Sequence, residues 1–205
     1  MSSVLLSPLL QNLPWIEHGF GTRHAVLSQD EMASLLQTHS SEVLRAEAPG
    51  CAGEGDALIT NRSGVALSIR TADCFPILLA DVRTRAVAAV HAGWRGTAAK
   101  IVQVTLRKMR AEFGTSPSGV LAAIGPGIGV CCYQVGEEVG RQFGLEGAGP
   151  VDLLDANRRQ LIEEGVPQQQ IGVAEGCTYC EPQRYFSYRR EREQAGRMIS
   201  FIRLV

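Results

Sequence analysis

Three short apolar runs followed by an amphipathic stripe constrain the middle of this 205-residue chain more than any other feature. The runs at 65–69, 76–80 and 86–90 have the length of strands and are bounded by polar turns, and 81–85 is predicted to be the tight turn that joins the last two. From about 96 to 113, apolar residues recur at steps of three and four, which predicts an amphipathic helix. This segment is expected to form strands of a sheet covered by a helix.

The rest of the chain continues the mixture of strands and helices. Further strands are predicted at 42–45, 120–124, 171–174 and 198–204, and helices at 136–143 and 152–164, the last ended by Gly165. No repeat, heptad run or low-complexity tract appears. The predicted fold class is therefore α/β, a single-domain α/β sandwich with a mixed β-sheet over residues 1–205.

Charge and hydropathy exclude several classes of partner. Lys and Arg number 20 against 21 Asp and Glu, which leaves a formal charge of −1, and the basic residues are scattered. This distribution lacks the electrostatic footprint of a protein that binds nucleic acid or an anionic membrane. Nowhere do about 18 consecutive apolar residues occur, and residues 1–10 have no basic region or small-residue cleavage pattern. We therefore expect no nucleic-acid or membrane partner and a cytoplasmic location.

The six cysteines form no regular disulfide framework for a chain of this size, so free thiols in a reducing compartment are expected. Cys177 and Cys180 form a lone C-x-x-C, which without a second pair is more often two buried thiols than a zinc or redox site. The glycine-rich segment 125–129 matches no nucleotide-binding loop and is interpreted as a turn that permits close backbone approach. Four cysteines are expected to be ordinary thiols: Cys51, Cys131, Cys132 and Cys180.

One thiol and two imidazoles stand where strands are predicted to end or begin. Cys74 follows one predicted strand and His91 ends another, with one hairpin between them, so both side chains are expected at the same edge of one sheet. His39 precedes the predicted strand at 42–45. Two imidazoles and one thiolate favour Zn²⁺ and leave the fourth tetrahedral position open. The spacing alone equally allows a Cys-His nucleophilic pair, with Cys74 activated by His91, or a structural cysteine beside unrelated histidines.

Read together, the motifs resemble the YfiH-like family, also called the laccase-domain or polyphenol-oxidase-like family. The matching pieces follow the family's order from about Gly19 to the C-terminus: Gln37-Thr38-His39, Gly55-Asp56-Ala57, Thr71-Ala72-Asp73-Cys74-Phe75-Pro76, Ala89-Val90-His91-Ala92-Gly93-Trp94-Arg95-Gly96, Ile124-Gly125-Pro126, Tyr133-Gln134-Val135-Gly136, Asp152-Leu153, Cys177-Thr178-Tyr179, Phe186-Ser187-Tyr188-Arg189-Arg190 and Gly196-Arg197. Several ordered motifs of this kind are highly specific.

The resemblance implies an α/β sandwich with one zinc ion held by His39, Cys74 and His91. It implies a purine nucleoside phosphorylase that converts adenosine, inosine and methylthioadenosine to base and sugar 1-phosphate, with adenosine deaminase activity in addition. The partners would be a purine nucleoside and phosphate, and the protein a monomer or homodimer. Older descriptions of the family give a copper-dependent oxidation of polyphenols, so copper is the alternative metal.

Roles follow from that chemistry. Cys74 and His91, with Asp73 as a candidate proton carrier, are the predicted catalytic residues. Phosphorolysis also requires a bound phosphate and neutralised charge on the departing purine, tasks suited to guanidinium groups. The predicted substrate-binding residues are Arg23, Arg95, Cys177, Tyr188, Arg189 and Arg190.

Two features limit the resemblance. The stretch at 23–36 is shorter than in family members, which predicts that part of the pocket wall is missing or replaced. The four histidines, His18, His24, His39 and His91, are too few for the trinuclear and blue-copper sites of a multicopper oxidase. The alternatives are a laccase-like, copper-binding polyphenol oxidoreductase, a Cys-His hydrolase, and a metal-binding protein without turnover. Adventitious binding of copper at the zinc site is also consistent with the metal's affinity for nitrogen and sulfur ligands.

Overall fold

The computed structural model describes residues 3–205 and contains two six-stranded sheets, with the two longest helices packed on the outer face of one of them. The strands are β1 (Val4–Leu5), β2 (Ile16–Gly21), β3 (Met32–Leu36), β4 (Val43–Arg45), β5 (Gly50–Glu54), β6 (Ala57–Thr60), β7 (Ala66–Thr71), β8 (Phe75–Asp81), β9 (Ala86–Ala92), β10 (Val120–Ile124), β11 (Gln134–Val135), β12 (Gly149–Pro150), β13 (Ile171–Val173) and β14 (Met198–Leu204). The α-helices are α1 (Pro8–Gln11), α2 (Trp94–Ala98), α3 (Ile101–Phe113), α4 (Glu137–Gln142), α5 (Leu153–Glu163) and α6 (Tyr188–Glu191). Single 3₁₀ turns lie at Pro117–Gly119, Gln168–Gln170 and Arg192–Gln194.

Both large sheets are mixed, as the predicted α/β class requires. The first has the order β1-β2-β14-β7-β3-β5, and its last two pairings are parallel. The second has the order β13-β10-β8-β9-β6-β4, with parallel pairings only at its two edges. Strands β11 and β12 form a small separate ribbon.

The second sheet is buried on both faces, which explains why its central strands are continuously apolar in sequence. Strands β8 and β9 are buried at every position. On one face, Leu78 packs in a core with Leu67 and Ile202 of the first sheet. On the other face, Ile77 packs in a second core with Leu106 of α3. The molecule is therefore layered as sheet, sheet and helices.

Most predicted elements are confirmed within a residue or two, and one is wrong in its continuity. The helix predicted over 96–113 is two helices, α2 and α3, separated at Lys100. Lys100 has φ 61°, a left-handed conformation that ends the hydrogen-bond ladder of α2 before α3 begins. This break lets α2 start directly after the end of β9. No helix within residues 3–205 is long and apolar enough to cross a membrane.

Candidate metal centre

The pairing of β8 with β9 places Cys74 and His91 at the same end of the second sheet, as predicted. In this antiparallel register Phe75 faces Ala92 and Pro76 faces His91. Cys74 is the residue directly before β8, so it lies beside the last residues of β9. The side chain of His91 is 4% exposed, whereas Cys74 is only partly buried. The thiol and the imidazole thus meet where the sheet opens to solvent.

His39, in the loop between β3 and β4, is the third member of this group. The ligand atoms of His39, Cys74 and His91 all lie within 4.8 Å of one another. The two imidazole rings are 4.9 Å apart between centroids and meet edge to face at 68°. His39 has φ 60°, a strained conformation that a non-glycine residue adopts only when its surroundings hold it there. We call these three residues the His-Cys-His trio.

Asp56, which sequence reasoning did not assign to the site, holds the trio in place. It directly precedes β6, has no exposed surface, and accepts the Nδ1 proton of His91 at 2.7 Å. Its carboxylate also accepts the backbone N–H of His39 at 3.1 Å, and the N–H and hydroxyl of Ser40 at 2.6 and 2.7 Å. Because Asp56 holds the Nδ1 proton of His91, Nε2 is the nitrogen that would bind a metal, which would displace any proton it carries. The signal that could have found it is the motif Gly55-Asp56-Ala57, which was matched to the family without a role for Asp56.

The charges at the trio favour a thiolate. Burial opposes ionisation of Cys74, but the charge of His91 and a hydrogen bond from His39 lower the pKa of this thiol to about 6. Burial likewise disfavours the imidazolium form of His91, but Cys74 and Asp56 raise the pKa of this imidazole to about 9. A thiolate beside two imidazoles, one of them backed by a carboxylate, is a donor set suited to Zn²⁺. The trio therefore fits the zinc ion that the resemblance implies.

Gly93 leaves the space into which Cys74 and His39 extend. A Cβ at position 93 would lie 2.8 Å from Cys74 Sγ and 3.1 Å from His39 Cδ2, closer than a side chain tolerates. We expect Gly93→Ala to weaken zinc binding at the trio by about 10-fold, because two ligands must move. Gly136→Ala is the matched control, because Gly136 is also an extended residue before a helix, and its Cβ would meet nothing within 4 Å. Equal zinc affinities in a competition titration would contradict this account of Gly93.

A multicopper cluster does not fit the histidines that the structure provides. His18 accepts the backbone N–H of Ser7 at 2.8 Å and is buried, and His24 bonds the carbonyl of Gln183 at 2.7 Å. Neither joins the trio, so two imidazoles remain at the site among the described residues. A blue-copper centre together with a trinuclear cluster needs many more.

Asp73, a predicted catalytic residue, has both carboxylate oxygens engaged by the protein. One accepts the hydroxyl of Thr178 at 2.6 Å and the other accepts the backbone N–H of Arg189 at 2.7 Å. Its carbonyl accepts the N–H of Ile128 at 2.8 Å, and its φ is 85°. Asp73 therefore joins three loops next to Cys74. Its role as a proton carrier stays a prediction, and proton transfer would have to displace one of these bonds.

The predicted arginines divide into two groups. In the first group, the guanidinium of Arg190 is engaged by hydrogen bonds within the protein. It donates to the carbonyls of Thr178, Tyr179 and Tyr185 at 2.7–2.8 Å and to the carboxylate of Glu191. Arg23 lies over the Phe186 ring and donates to the carbonyl of Pro182. Both line an open surface depression of about 720 Å³ formed with residues 191–194.

Arg95 and Arg189 form the second group, and the charges of both act on Tyr133, as does that of Cys74. The Arg95 guanidinium lies over the Trp94 ring, 4.4 Å from its centroid, and nothing within residues 3–205 accepts a hydrogen bond from it. Arg189 lies 5.3 Å from the ring centroid of Tyr133 and donates to the carbonyl of Gln134 at 2.8 Å. Burial, followed by the charge of Cys74, raises the pKa of Tyr133 to about 12, against the opposing charges of both arginines. Tyr133, which carried no predicted role, is thus close enough to Cys74, Arg95 and Arg189 for their charges to affect its ionisation.

The last two predicted substrate-binding residues lie elsewhere. Tyr188 is exposed at the start of α6, and its hydroxyl donates to Glu193 at 2.8 Å. The thiol of Cys177 accepts the N–H of Gly129 at 3.2 Å and lies in a group of four cysteines. The expectation that Cys177 and Cys180 are buried thiols without a second pair is wrong, because Cys180 is exposed and the second pair, Cys131 and Cys132, lies beside them.

Comparison with known proteins supports the resemblance stated from the motifs. A model of the family described as multi-copper polyphenol oxidoreductase laccase matches residues 21–205. The chain is 45% identical over 161 residues to a purine nucleoside phosphorylase of Bacteroides thetaiotaomicron, covering 72% of this chain and 60% of that protein. It is 42% identical over 185 residues to a purine nucleoside phosphorylase of Deinococcus radiodurans, covering 85% and 71%. It is 34% identical over 197 residues to adenosine deaminase RL5 of an unknown prokaryotic organism, covering 84% and 75%.

Solved structures agree in fold. The crystal structure of the hypothetical protein YfiH of Bacillus licheniformis matches with a TM-score of 0.91 and 26% identity, covering 100% of this chain and 97% of that one. YlmD of Geobacillus stearothermophilus matches with a TM-score of 0.90 and 27% identity, covering 99% and 96%.

Proposed function

The chain belongs to the multi-copper polyphenol oxidoreductase laccase family, and from that premise we propose that it is a zinc-dependent purine nucleoside phosphorylase with adenosine deaminase activity. The proposed substrates are adenosine, inosine and methylthioadenosine, each with phosphate. The observation that carries the proposal is the His-Cys-His trio, together with the guanidinium of Arg95, which lies on the Trp94 ring and has no hydrogen-bond acceptor within residues 3–205. The names of the relatives from Bacteroides and Deinococcus support the phosphorylase, and that of RL5 supports the deaminase.

Zinc at the trio would supply Lewis-acid polarisation and one open position for water or a substrate group. The protein's own residues supply orientation and charge. Asp56 fixes the His91 ring through the 2.7 Å bond to Nδ1, which leaves Nε2 as the ligand atom of His91. Arg95 offers a guanidinium fork to phosphate, a tetrahedral anion.

Phosphorolysis exchanges one bond of the ribose for another. An oxygen of phosphate forms a bond to the ribose C1′ while the glycosidic bond to the purine breaks, and the departing base takes up a proton. A guanidinium near the reacting atoms stabilises the phosphate and the negative charge that develops on the base. Asp73 is the proposed proton carrier, since it lies next to Cys74 in the chain and is buried. Deamination differs in that water replaces the amino group at C6 of adenosine and ammonia leaves.

Product analysis tests the proposal. Purified protein incubated with adenosine, inosine or methylthioadenosine and phosphate is expected to release the free base and the sugar 1-phosphate in equal amounts, as measured by chromatography. Adenosine is also expected to yield inosine. Zinc-loaded protein that releases neither base nor inosine contradicts the proposal and favours the metal-binding protein without turnover.

Arg95→Ala is expected to raise the KM for phosphate by about 10- to 100-fold, because a charge-assisted hydrogen bond contributes about 1.5–3 kcal/mol. The KM for the nucleoside is expected to change far less. Steady-state kinetics with each substrate varied in turn measures both values. Arg110→Ala is the matched control, because Arg110 is an exposed arginine in the last turn of α3. An unchanged KM for phosphate in Arg95→Ala would remove Arg95 from the phosphate site.

A Cys-His hydrolase is the second candidate, favoured by the chain of contacts from Asp56 through His91 to Cys74. This arrangement matches a nucleophile, base and orienting carboxylate. The two functions respond oppositely to zinc. A hydrolase would be active without metal and inactivated by alkylation of Cys74, whereas the proposed phosphorylase loses activity when zinc is removed. The ligand atom of His39 lies within 4.8 Å of those of Cys74 and His91. This third residue favours a metal site over a hydrolase, because a nucleophilic Cys-His pair does not require a second histidine.

A further inference from the structure

A second group of ligand-type side chains lies outside the His-Cys-His trio. It consists of Cys131 and Cys132, in the turn after β10, and Cys177 and Cys180, in the turn after β13. Their four Sγ atoms lie within 4.8 Å of one another. We call this group the four-cysteine cluster. The proposed phosphorolysis uses none of its thiols in a chemical step.

The sulfur spacing matches a tetrahedral metal site. With a Zn–S bond of about 2.3 Å, the sulfur atoms of a regular tetrahedron are about 3.8 Å apart. The Sγ of Cys131 lies 3.8 Å from that of Cys180, and the Sγ of Cys132 lies 3.3 Å from it. Four protein ligands leave no open position, which is typical of structural zinc rather than catalytic zinc.

The backbone around the cluster is built as a pair of turns that face each other. Gly127 and Cys177 form a parallel bridge, and Thr178 donates its N–H to the carbonyl of Gly127 at 3.0 Å. The N–H of Cys132 bonds the carbonyl of Gly129 at 3.0 Å, which folds the first turn. Both turns are therefore held in register without any bond between the sulfur atoms.

The surroundings offset the negative charge of a zinc–tetrathiolate centre. The N–H of Gly129 points at the sulfur of Cys177 at 3.2 Å, an N–H to S contact of the kind that stabilises metal-bound thiolates. The guanidinium of Arg190 donates to the carbonyls of Thr178 and Tyr179, within the turn that carries Cys177 and Cys180.

A disulfide explains less of this arrangement. Disulfides would join these sulfur atoms in pairs at about 2.05 Å, whereas all four cysteines are free in the structure. The separations of 3.3 and 3.8 Å from the sulfur of Cys180, and the limit of 4.8 Å on every other pair, suit one shared ion better than a single S–S bond.

We propose that Cys131, Cys132, Cys177 and Cys180 bind a second zinc ion, which fastens the turn at 129–132 to the turn at 177–180. Binding of Zn²⁺ releases four thiol protons and leaves a centre with a net charge of −2. The turn at 177–180 contacts the residue next to Cys74, because Thr178 donates its hydroxyl to Asp73 at 2.6 Å. The second zinc ion therefore braces the loops beside the trio without taking part in the reaction.

Zinc content of purified variants tests this site separately from the first. The wild-type chain and Cys51→Ser, which alters an exposed cysteine outside both groups, are expected to hold two zinc ions per chain by native mass spectrometry. The double variant Cys131→Ala/Cys180→Ser is expected to hold one. Cys74→Ala is expected to lose the ion of the trio and to keep the other. One zinc ion in the wild type together with none in Cys74→Ala would overturn the proposal.

X-ray absorption on Cys74→Ala protein gives an answer that does not depend on folding of the double variant. The remaining zinc is expected to have four sulfur neighbours at about 2.3 Å. Mixed nitrogen and sulfur neighbours would overturn the proposal, as would a wild-type chain whose unreduced mass shows a disulfide among these cysteines. Activity is not the readout, so failure of this site and failure of the proposed phosphorylase are distinguishable.

Discussion

Cys74→Ala is expected to lose the zinc of the trio and to lower kcat/KM for phosphorolysis of adenosine by about 10³-fold or more. The metal's stabilisation of developing charge contributes several kcal/mol, and each 1.4 kcal/mol corresponds to a factor of ten in rate. The alanine removes the only thiolate among the three ligands and leaves His39 and His91 unable to hold the ion alone. Steady-state kinetics and zinc analysis of the same preparation measure both effects.

Cys51→Ala is the control for Cys74→Ala, because Cys51 is an exposed cysteine on β5 that belongs to neither cysteine-containing group. It is expected to match the wild type in zinc content and rate. Loss of zinc from Cys74→Ala with full retention of activity would contradict a role for the trio in the reaction. It would indicate that the arginines catalyse the reaction without the metal.

Asp56→Asn is expected to weaken zinc binding at the trio by about 10- to 100-fold and to lower the free energy of unfolding by about 2–4 kcal/mol. The carboxylate accepts bonds from His91, His39 and Ser40, and an amide nitrogen in place of one oxygen would face donors. Isothermal competition titration and denaturant unfolding measure the two quantities.

Asp81→Asn separates the positioning role of Asp56 from a general effect of losing a buried carboxylate. Asp81 also has no exposed surface, and it binds the N–H groups of Arg83 and Thr84 and the hydroxyl of Thr84. Its asparagine variant is expected to lose comparable stability and to keep wild-type zinc affinity. Equal zinc affinities in both variants would contradict the positioning role of Asp56.

The charge of Asp56 also predicts a dependence of stability on pH. Burial opposes its ionisation, but hydrogen bonds from His91 and Ser40 hold the pKa of this carboxyl well below its unfolded value of 3.8. The folded state therefore binds fewer protons than the unfolded state. The stability contributed by Asp56 is complete above the unfolded pKa and is lost as the pH falls toward the folded one.

Local patterns predicted the central elements of the fold and missed those that tertiary contacts create. Strands β8 and β9 were predicted because both faces of the second sheet are covered, which makes their sequences continuously apolar. Strand β5 was not predicted, because it is almost wholly exposed and contains Gly50 and Gly53 at positive φ. Only its parallel pairing with β3 makes it a strand.

The candidate site shows the same division. Residue types and places at strand ends made His39, Cys74 and His91 candidates, the family resemblance implied them as ligands, and the structure brings the three together. The place of Asp56 depends on the register of β6 against β9, which no local pattern reveals. The four-cysteine cluster depends on the bridge between Gly127 and Cys177, which joins segments about 50 residues apart in the chain.

Removal and return of zinc tests the central claim most directly. Phosphorolysis of adenosine is measured on one preparation as purified, after complete removal of zinc by a chelator, and after zinc is added back. Without zinc, formation of the free base and of ribose 1-phosphate is expected to stop. Both are expected to recover when zinc again occupies the His-Cys-His trio. Undiminished phosphorolysis by the zinc-free protein would contradict the central claim.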